Sequence, residues 1–164
     1  MAEVGVWHAV TTTTMARQLP PGGVIYGVDS FLKGRLGVCF QELIATQETR
    51  PFSNKVRLLK MDSESAAQFL ERNVGANFDF VFLDGDHSYE GLKVDWLAWS
   101  ALLRESGFIA IHDSRSSTDR DLSNAGSAVF TRDAILKDKN FRPVEAIDTL
   151  TVLQKISSLS RNHA

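Results

Sequence analysis

Short runs that are apolar on both faces alternate along the chain with stretches carrying an apolar residue every third or fourth place. Runs of the first kind occupy positions 3–6, 24–29, 56–61, 78–84 and 108–112, each rich in Val, Ile or Phe. Strands of that kind belong in a parallel sheet covered by helices. Leu32, Leu36 and Phe40, with Leu43 and Ile44, recur at helical spacing and predict a helix over 32–44, ahead of a turn at Arg50-Pro51. Tyr89, Leu92, Trp96, Trp99 and Leu103 form a cleaner stripe, and 63–73 reads as a shorter helix carrying Ala66, Ala67 and Leu70. Pro20-Pro21-Gly22-Gly23 and Ser106-Gly107 break the chain ahead of the second and fifth runs.

This alternation predicts an α/β fold, a Rossmann-like, doubly wound and mostly parallel sheet in three layers. The last third departs from it. Residues 127–137 look helical, and two strand-like segments, 141–147 and 149–156, follow with almost nothing between them. That gap is too short for a crossover helix, so the sheet is expected to end in an antiparallel hairpin. The polar stretch 114–123 is expected to be a mobile loop. No internal repeat appears: residues 1–156 read as one domain and 157–164 as a C-terminal tail.

Composition narrows the classes. A chain of 164 residues, 43% apolar and 23% charged, is ordinary for one globular domain. Its net charge of -2 argues against a nucleic-acid partner or an anionic membrane surface. Cys39 is the single cysteine, so neither a disulfide nor a cysteine zinc site can form within the chain. With no apolar run of spanning length and no signal-peptide pattern, a soluble, cytoplasmic protein is expected.

In a doubly wound sheet, ligands bind beyond the carboxyl ends of the strands, where the winding reverses. The first run leads into Gly5-Val6-Trp7-His8 and a helix through the Thr11-Thr12 region. Gly5 there allows close approach to a ligand, or simply serves a strand-to-helix turn. Asp29-Ser30 ends the second run, where a carboxylate suits either ribose hydroxyls or the N-cap of the next helix. Met61-Asp62-Ser63 ends the third and suits an adenine ring or another N-cap. The fourth ends in the densest cluster, Asp84-Gly85-Asp86-His87, and the fifth in His112-Asp113. Such groups beside apolar strands need a ligand, a metal or each other. Strands four and five should be neighbours, so these side chains are expected to converge, as a reactive site or as a satisfied hydrogen-bond network.

The stretch FDFVFLDGDHSYEGLKVDWLAWSALLRESGFIAIHDS resembles a class I methyltransferase family with a D-G-D-H-x-Y-E-G motif after strand four and an H-D pair after strand five. The opening EVGVWHAVTTTTMARQLPPGGVIYGVDSF resembles that family's first motif and its acidic strand-two end, so the likeness spans essentially the whole chain. The resemblance implies S-adenosylmethionine (SAM) as cofactor and a small-molecule methyl acceptor, methylated at a hydroxyl. Glu3 and Gly5, with Val6, would border the methionine part of the cofactor. Asp29 and Ser30 would meet the ribose, Asp62 and Ser63 the adenine, and Asp84 and Gly85 the mouth. In relatives that use a divalent metal such as magnesium, positions matching Asp84 and Asp113 hold it; His112 beside them would tilt the site toward a transition metal. His87 or His112 would act as base, since free imidazole titrates near neutrality, with Asp113 completing the catalytic group. A metal would instead acidify the hydroxyl directly.

Two departures bear on this. Ala9 and Val10 stand where the family has small glycines, which would narrow the space beside the cofactor's carboxylate. The chain also begins almost at strand one, whereas relatives carry N-terminal helices over the substrate. A trimmed or divergent member, or a cover supplied by a partner subunit, is therefore expected, and aromatic surface around Trp7 would suit a homodimer. An NAD-dependent oxidoreductase is the first rival, opposed by the missing G-x-G-x-x-G and by the terminal hairpin. A non-catalytic binding or assembly module on the same fold is the second.

Overall fold

The computed structural model describes residues 1–32, 34, 37–75 and 77–156. Its elements are β1 (Ala2–Val4), α1 (Val10–Gln18), β2 (Ile25–Asp29), α2 (Phe40–Thr49), β3 (Val56–Lys60), α3 (Ser63–Asn73), β4 (Phe78–Leu83), α4 (Tyr89–Leu102), β5 (Leu103–Ile111), α5 (Gly126–Asp133), β6 (Phe141–Ile147) and β7 (Leu150–Lys155). The seven strands form one sheet in the order β3-β2-β1-β4-β5-β7-β6. Strands β1 to β5 pair in parallel, and β7 lies antiparallel between β5 and β6. The expected hairpin is thus present, with its second strand inserted next to β5. Winding runs outward from β1 through β2 to β3, then restarts from β4 toward β5. The carboxyl ends of β1 and β4 therefore part at the switch point, which opens a crevice there.

Helices α3, α4 and α5 cover one face. Leu70, Trp96, Trp99, Leu102 and Phe130 pack there on Val4, Val81, Leu83, Ile109, Ile111 and Leu153. Trp99 is wholly buried, and burying a side chain of that kind stabilises the fold by about 1.5–3 kcal/mol. On the other face α1 and α2 cover only the β1–β3 half, through Ala16, Ala45, Ile25 and Val56. The second helical layer is partial among the described residues. Among the described residues no helix is long and apolar enough to cross a membrane.

One sequence expectation needs correction. The helix predicted over 32–44 begins at Phe40 and runs to Thr49, and Leu36 lies outside the described residues. Cys39 sets its start, because the Cys39 Sγ accepts the Glu42 N–H. The apolar stripe that suggested the earlier start faces outward: Leu32, Phe40 and Leu43 are exposed, while Cys39, Ala45 and Thr49 are buried. The stretch 114–123 is more tightly held than a bare loop. Ser114 Oγ donates to Thr151 Oγ1 at 2.7 Å, Arg120 pairs with Asp113, and Ser116 Oγ accepts the Leu122 N–H. Serine hydroxyls supply the backbone partners that a helix or sheet would otherwise provide.

Two positions in β1 and the turn after it are tightly constrained. Gly5 has φ +89°, and a Cβ built on it would fall 2.1 Å from the Asp84 carbonyl oxygen. Glu3 is buried inside the sheet, where its Oε2 accepts the Thr12 hydroxyl. Burial pushes its carboxyl up to about 8, against the Thr12 hydrogen bond and with help from the Asp84 and Asp29 charges.

A Gly5→Ala substitution is expected to destabilise the protein by about 3 kcal/mol, summing the left-handed backbone and the overpacked Cβ; urea denaturation measures it. Glu3 in the unfolded chain ionises near pH 4.3, while in the folded state it keeps its proton to about pH 8. Between those limits the folded state binds more protons, so its stability falls as pH rises, by up to about 1.4 kcal/mol per pH unit. Glu3→Gln should flatten that decline between pH 5 and 8, and an unchanged slope would show that Glu3 is already ionised in the fold.

Candidate functional site

A cleft of about 900 Å³ opens at the carboxyl ends of β1, β2, β3 and β4. Its first wall is the turn after β1, held by one side chain from β2. Asp29 Oδ2 accepts the N–H groups of Val6 (3.1 Å) and Trp7 (3.0 Å), and Oδ1 accepts that of Phe31 (2.8 Å). Both Trp7 (φ 51°) and Phe31 (φ 44°) sit in the left-handed region, and the carboxylate fixes them there. Asp29 is therefore not a helix N-cap. Ala9, also left-handed at φ 62°, is fully buried beside Val6 and Phe31 and turns away from the cleft; Val10 stands exposed at its mouth.

The second wall is the start of α3. Asp62 is its N-cap and accepts the Ser65 N–H at 2.9 Å, which holds the Asp62 carboxyl below its ordinary value. Ser63 Oγ accepts the Trp99 indole N–H at 2.9 Å and is hydrogen-bonded to the Asp95 carboxylate. Asp95, buried on α4, is pushed up to about 6 by burial, with Ser63 opposing and the Asp86 charge adding. Sequence reading passed over this residue. Its signal was an acid three places after Leu92 and four before Trp99, inside an otherwise apolar stripe.

The rim between β4 and β5 carries the imidazoles. His112 Nδ1 is buried 2.7 Å from Asp84 Oδ1. His87 Nε2 lies 3.7 Å from the same oxygen, and the two imidazole rings are 5.7 Å apart. Burial raises the Asp84 carboxyl, the two imidazoles oppose that, and Asp113 adds to it. One atom from each of Asp84, His87 and His112 falls within 4.8 Å of the others, close enough to share a metal ion. Asp113 is separate: it is buried, its Oδ1 is paired with Arg120 at 2.8 Å, and it lies 3.7 Å from His112 Nε2. Of the expected set of Asp84, His112 and Asp113, the structure brings Asp84 and His112 together with His87, while Asp113 faces the other ring nitrogen of His112. Asp86 turns back instead, its Oδ1 accepting the Ser88 N–H, and Gly91 leaves room for it, since a Cβ there would lie 2.4 Å from Asp86 Cγ.

Gly5, Val6, Asp29, Ser30, Asp62, Ser63, Asp84, Gly85 and His87 all line the cleft. Glu3 does not, lying beneath it against Thr12, and His112 borders a separate groove. Seven carboxylates line the cleft: Asp29, Asp62, Glu64, Asp84, Asp86, Glu90 and Asp95, with no Lys or Arg among the described lining residues. Such a lining attracts cations and hydrogen-bond donors and repels phosphates.

The profile of a family described as a methyltransferase domain matches residues 2–114. No curated protein matches the sequence. Among solved structures, an O-methyltransferase from Bacillus cereus in complex with SAH superposes with TM-score 0.69 at 16% identity, covering 94% of this chain and 73% of that one. The O-methyltransferase TomG from Streptomyces achromogenes, involved in tomaymycin synthesis and in complex with SAM, gives 0.68 at 15% identity over 95% and 72%. MycE methyltransferase from the mycinamycin biosynthetic pathway, in complex with Mg, SAH and mycinamycin VI, gives 0.61 at 19% identity, over 99% of this chain but 46% of that one. With a switch-point cleft, a terminal antiparallel hairpin and a profile match over most of its length, the chain belongs to the methyltransferase-domain family and has the fold of the class I, SAM-dependent enzymes.

Proposed function

We propose that the cleft binds SAM and that the Asp84–His112 rim directs methyl transfer to a hydroxyl oxygen of a small molecule. The observation that carries this reading is the acidic lining of a cleft at the switch point. A cation-seeking site suits a sulfonium with an ammonium group and opposes the pyrophosphate of a dinucleotide, which disfavours the oxidoreductase reading. SAM, when bound, supplies an electrophilic methyl group. Asp29 presents to the ribose the one acceptor position left over from its three backbone donors, a carboxylate having about four in all. Ser63, Asp62 and Met61 line the end that suits the adenine, and Gly5 lines the cleft where the β1 turn passes the Asp84 peptide.

His112 takes the proton of the acceptor hydroxyl. With Nδ1 buried against Asp84, Nε2 is the nitrogen left to receive it, and Asp113 lies near enough to stabilise the imidazolium. His87 stands beside the same carboxylate as the alternative base. Asp84, His87 and His112 also fit a metal ion: a buried His112 nitrogen faces the Asp84 carboxylate, and a second imidazole stands within reach. Two imidazoles and one carboxylate suit a first-row transition ion better than magnesium. Such an ion would act as a Lewis acid on the hydroxyl.

Calorimetry should show SAM binding and no NADH binding, and the reverse would overturn the reading. His112→Ala should lower turnover by at least about a hundredfold while changing SAM affinity less than about twofold; equal losses in both would mark His112 as structural. In protein dialysed against chelator, manganese or zinc should bind at least about tenfold tighter than magnesium. His87→Ala should weaken that binding, measured by the same calorimetry, and an unaffected affinity would rule the three-residue site out.

A further inference from the structure

We propose that the groove bordered by His112 is the acceptor site, and that it takes a neutral hydroxylated molecule of one or two rings. This inference rests on the methyl-transfer reading above. On the β4–β5–β7 half of the sheet, one face is packed under α3 to α5, and the other has no helix over it among the described residues. There a groove of about 360 Å³ runs between α1 and the β6–β7 turn, with Phe80, Phe82 and Ala110 as its floor and Ile147 and Leu150 at its side.

His112 borders this groove, with its ring set edge-on to Phe82 at 6.4 Å between centroids. The same imidazole touches Asp84, which lines the cofactor cleft, and Thr11 lines both spaces. The two cavities therefore meet at one pair of side chains. A molecule lying on Phe80 and Phe82 with its hydroxyl against His112 places its oxygen beside the imidazole that contacts Asp84 of the cleft. The hydroxyl gives its proton to His112, its oxygen lone pair forms the new bond to carbon, and the electrons of the broken methyl–sulfur bond stay on sulfur.

The lining sets the chemistry of the occupant. Its aromatic and aliphatic side chains favour a flat apolar body, and the volume lies at the small end of ligand pockets. No Lys or Arg is among the described lining residues, which include the acidic Asp148. Acceptors carrying phosphate, sulfonate or carboxylate are opposed by that arrangement.

Two probes test this on protein saturated with SAH: 2-naphthol, and 6-hydroxynaphthalene-2-sulfonate, which keeps the rings and hydroxyl but adds an anion. Ligand-observed NMR should give 2-naphthol an affinity at least about tenfold above that of the sulfonate. Ile147→Glu alters an exposed residue at the groove's side, and Ala110→Leu fills its floor. Each should weaken 2-naphthol binding by about tenfold while SAM affinity, measured separately, stays within about twofold. Equal affinities for the two probes, no 2-naphthol binding to SAH-loaded wild type, or binding indifferent to both substitutions would overturn the groove assignment. A wild-type protein that fails to bind SAM strikes the methyl-transfer reading instead, and loss of 2-naphthol binding in the variants would still support the groove.

Discussion

The carboxylate of Asp29 holds the turn after β1, and the shape of the cleft depends on it. Three backbone N–H groups converge on its two oxygens, two from the β1 turn and one from the chain just beyond β2. Trp7, Ala9 and Phe31 all adopt left-handed backbone, which costs roughly 1–2 kcal/mol for each residue with a side chain. Hydrogen bonds to a charged acceptor contribute about 1.5–3 kcal/mol each, enough to offset that strain. One acidic side chain thereby pins two neighbouring strands into a concave edge, and its partly used oxygens still face the cleft.

A second constraint joins that edge to the reactive rim. The sheet reverses its winding between β1 and β4, and Gly5 lets the backbone after β1 press against the Asp84 peptide. Asp84 is thus carried by the same tight contact that shapes the cleft wall. His112 arrives from the neighbouring strand, anchored by its N–H donating to the Leu83 carbonyl at 2.9 Å. Asp113 follows it, buried and paired with Arg120, so the two carboxylates flank the imidazole from different sides. The order of the strands brings these groups together. No local motif does so alone.

The electrostatics of the cleft follow from the same packing. Carboxylates gather at the strand ends with no basic residue among the described lining, so the cleft carries a negative field suited to a cationic ligand. Burial answers part of that crowding by raising the carboxyls of Asp84 and Asp95, while the N-cap bond at Asp62 does the opposite. The groove beyond His112 is different in kind, apolar and aromatic, and the two environments share a wall at one imidazole.

The sequence alone determined the alternation of buried strands and helices and the closing hairpin, because hydrophobic period and connection length constrain both without reference to distant residues. It also marked the strand ends where Gly5, Asp29, Asp62 and Asp84 line the cleft. It misplaced the helix after β2, since the apolar stripe of Leu32, Phe40 and Leu43 faces outward and the start is fixed by a cysteine cap. Tertiary structure alone decided that Glu3 lies beneath the cleft, that His87 and not Asp113 joins Asp84 and His112, and that Asp95 reaches Ser63. Spacing along the chain fixes which residues leave a strand together. Which way a side chain then turns depends on partners from other elements, here Arg120 for Asp113, Thr12 for Glu3 and Trp99 for Ser63.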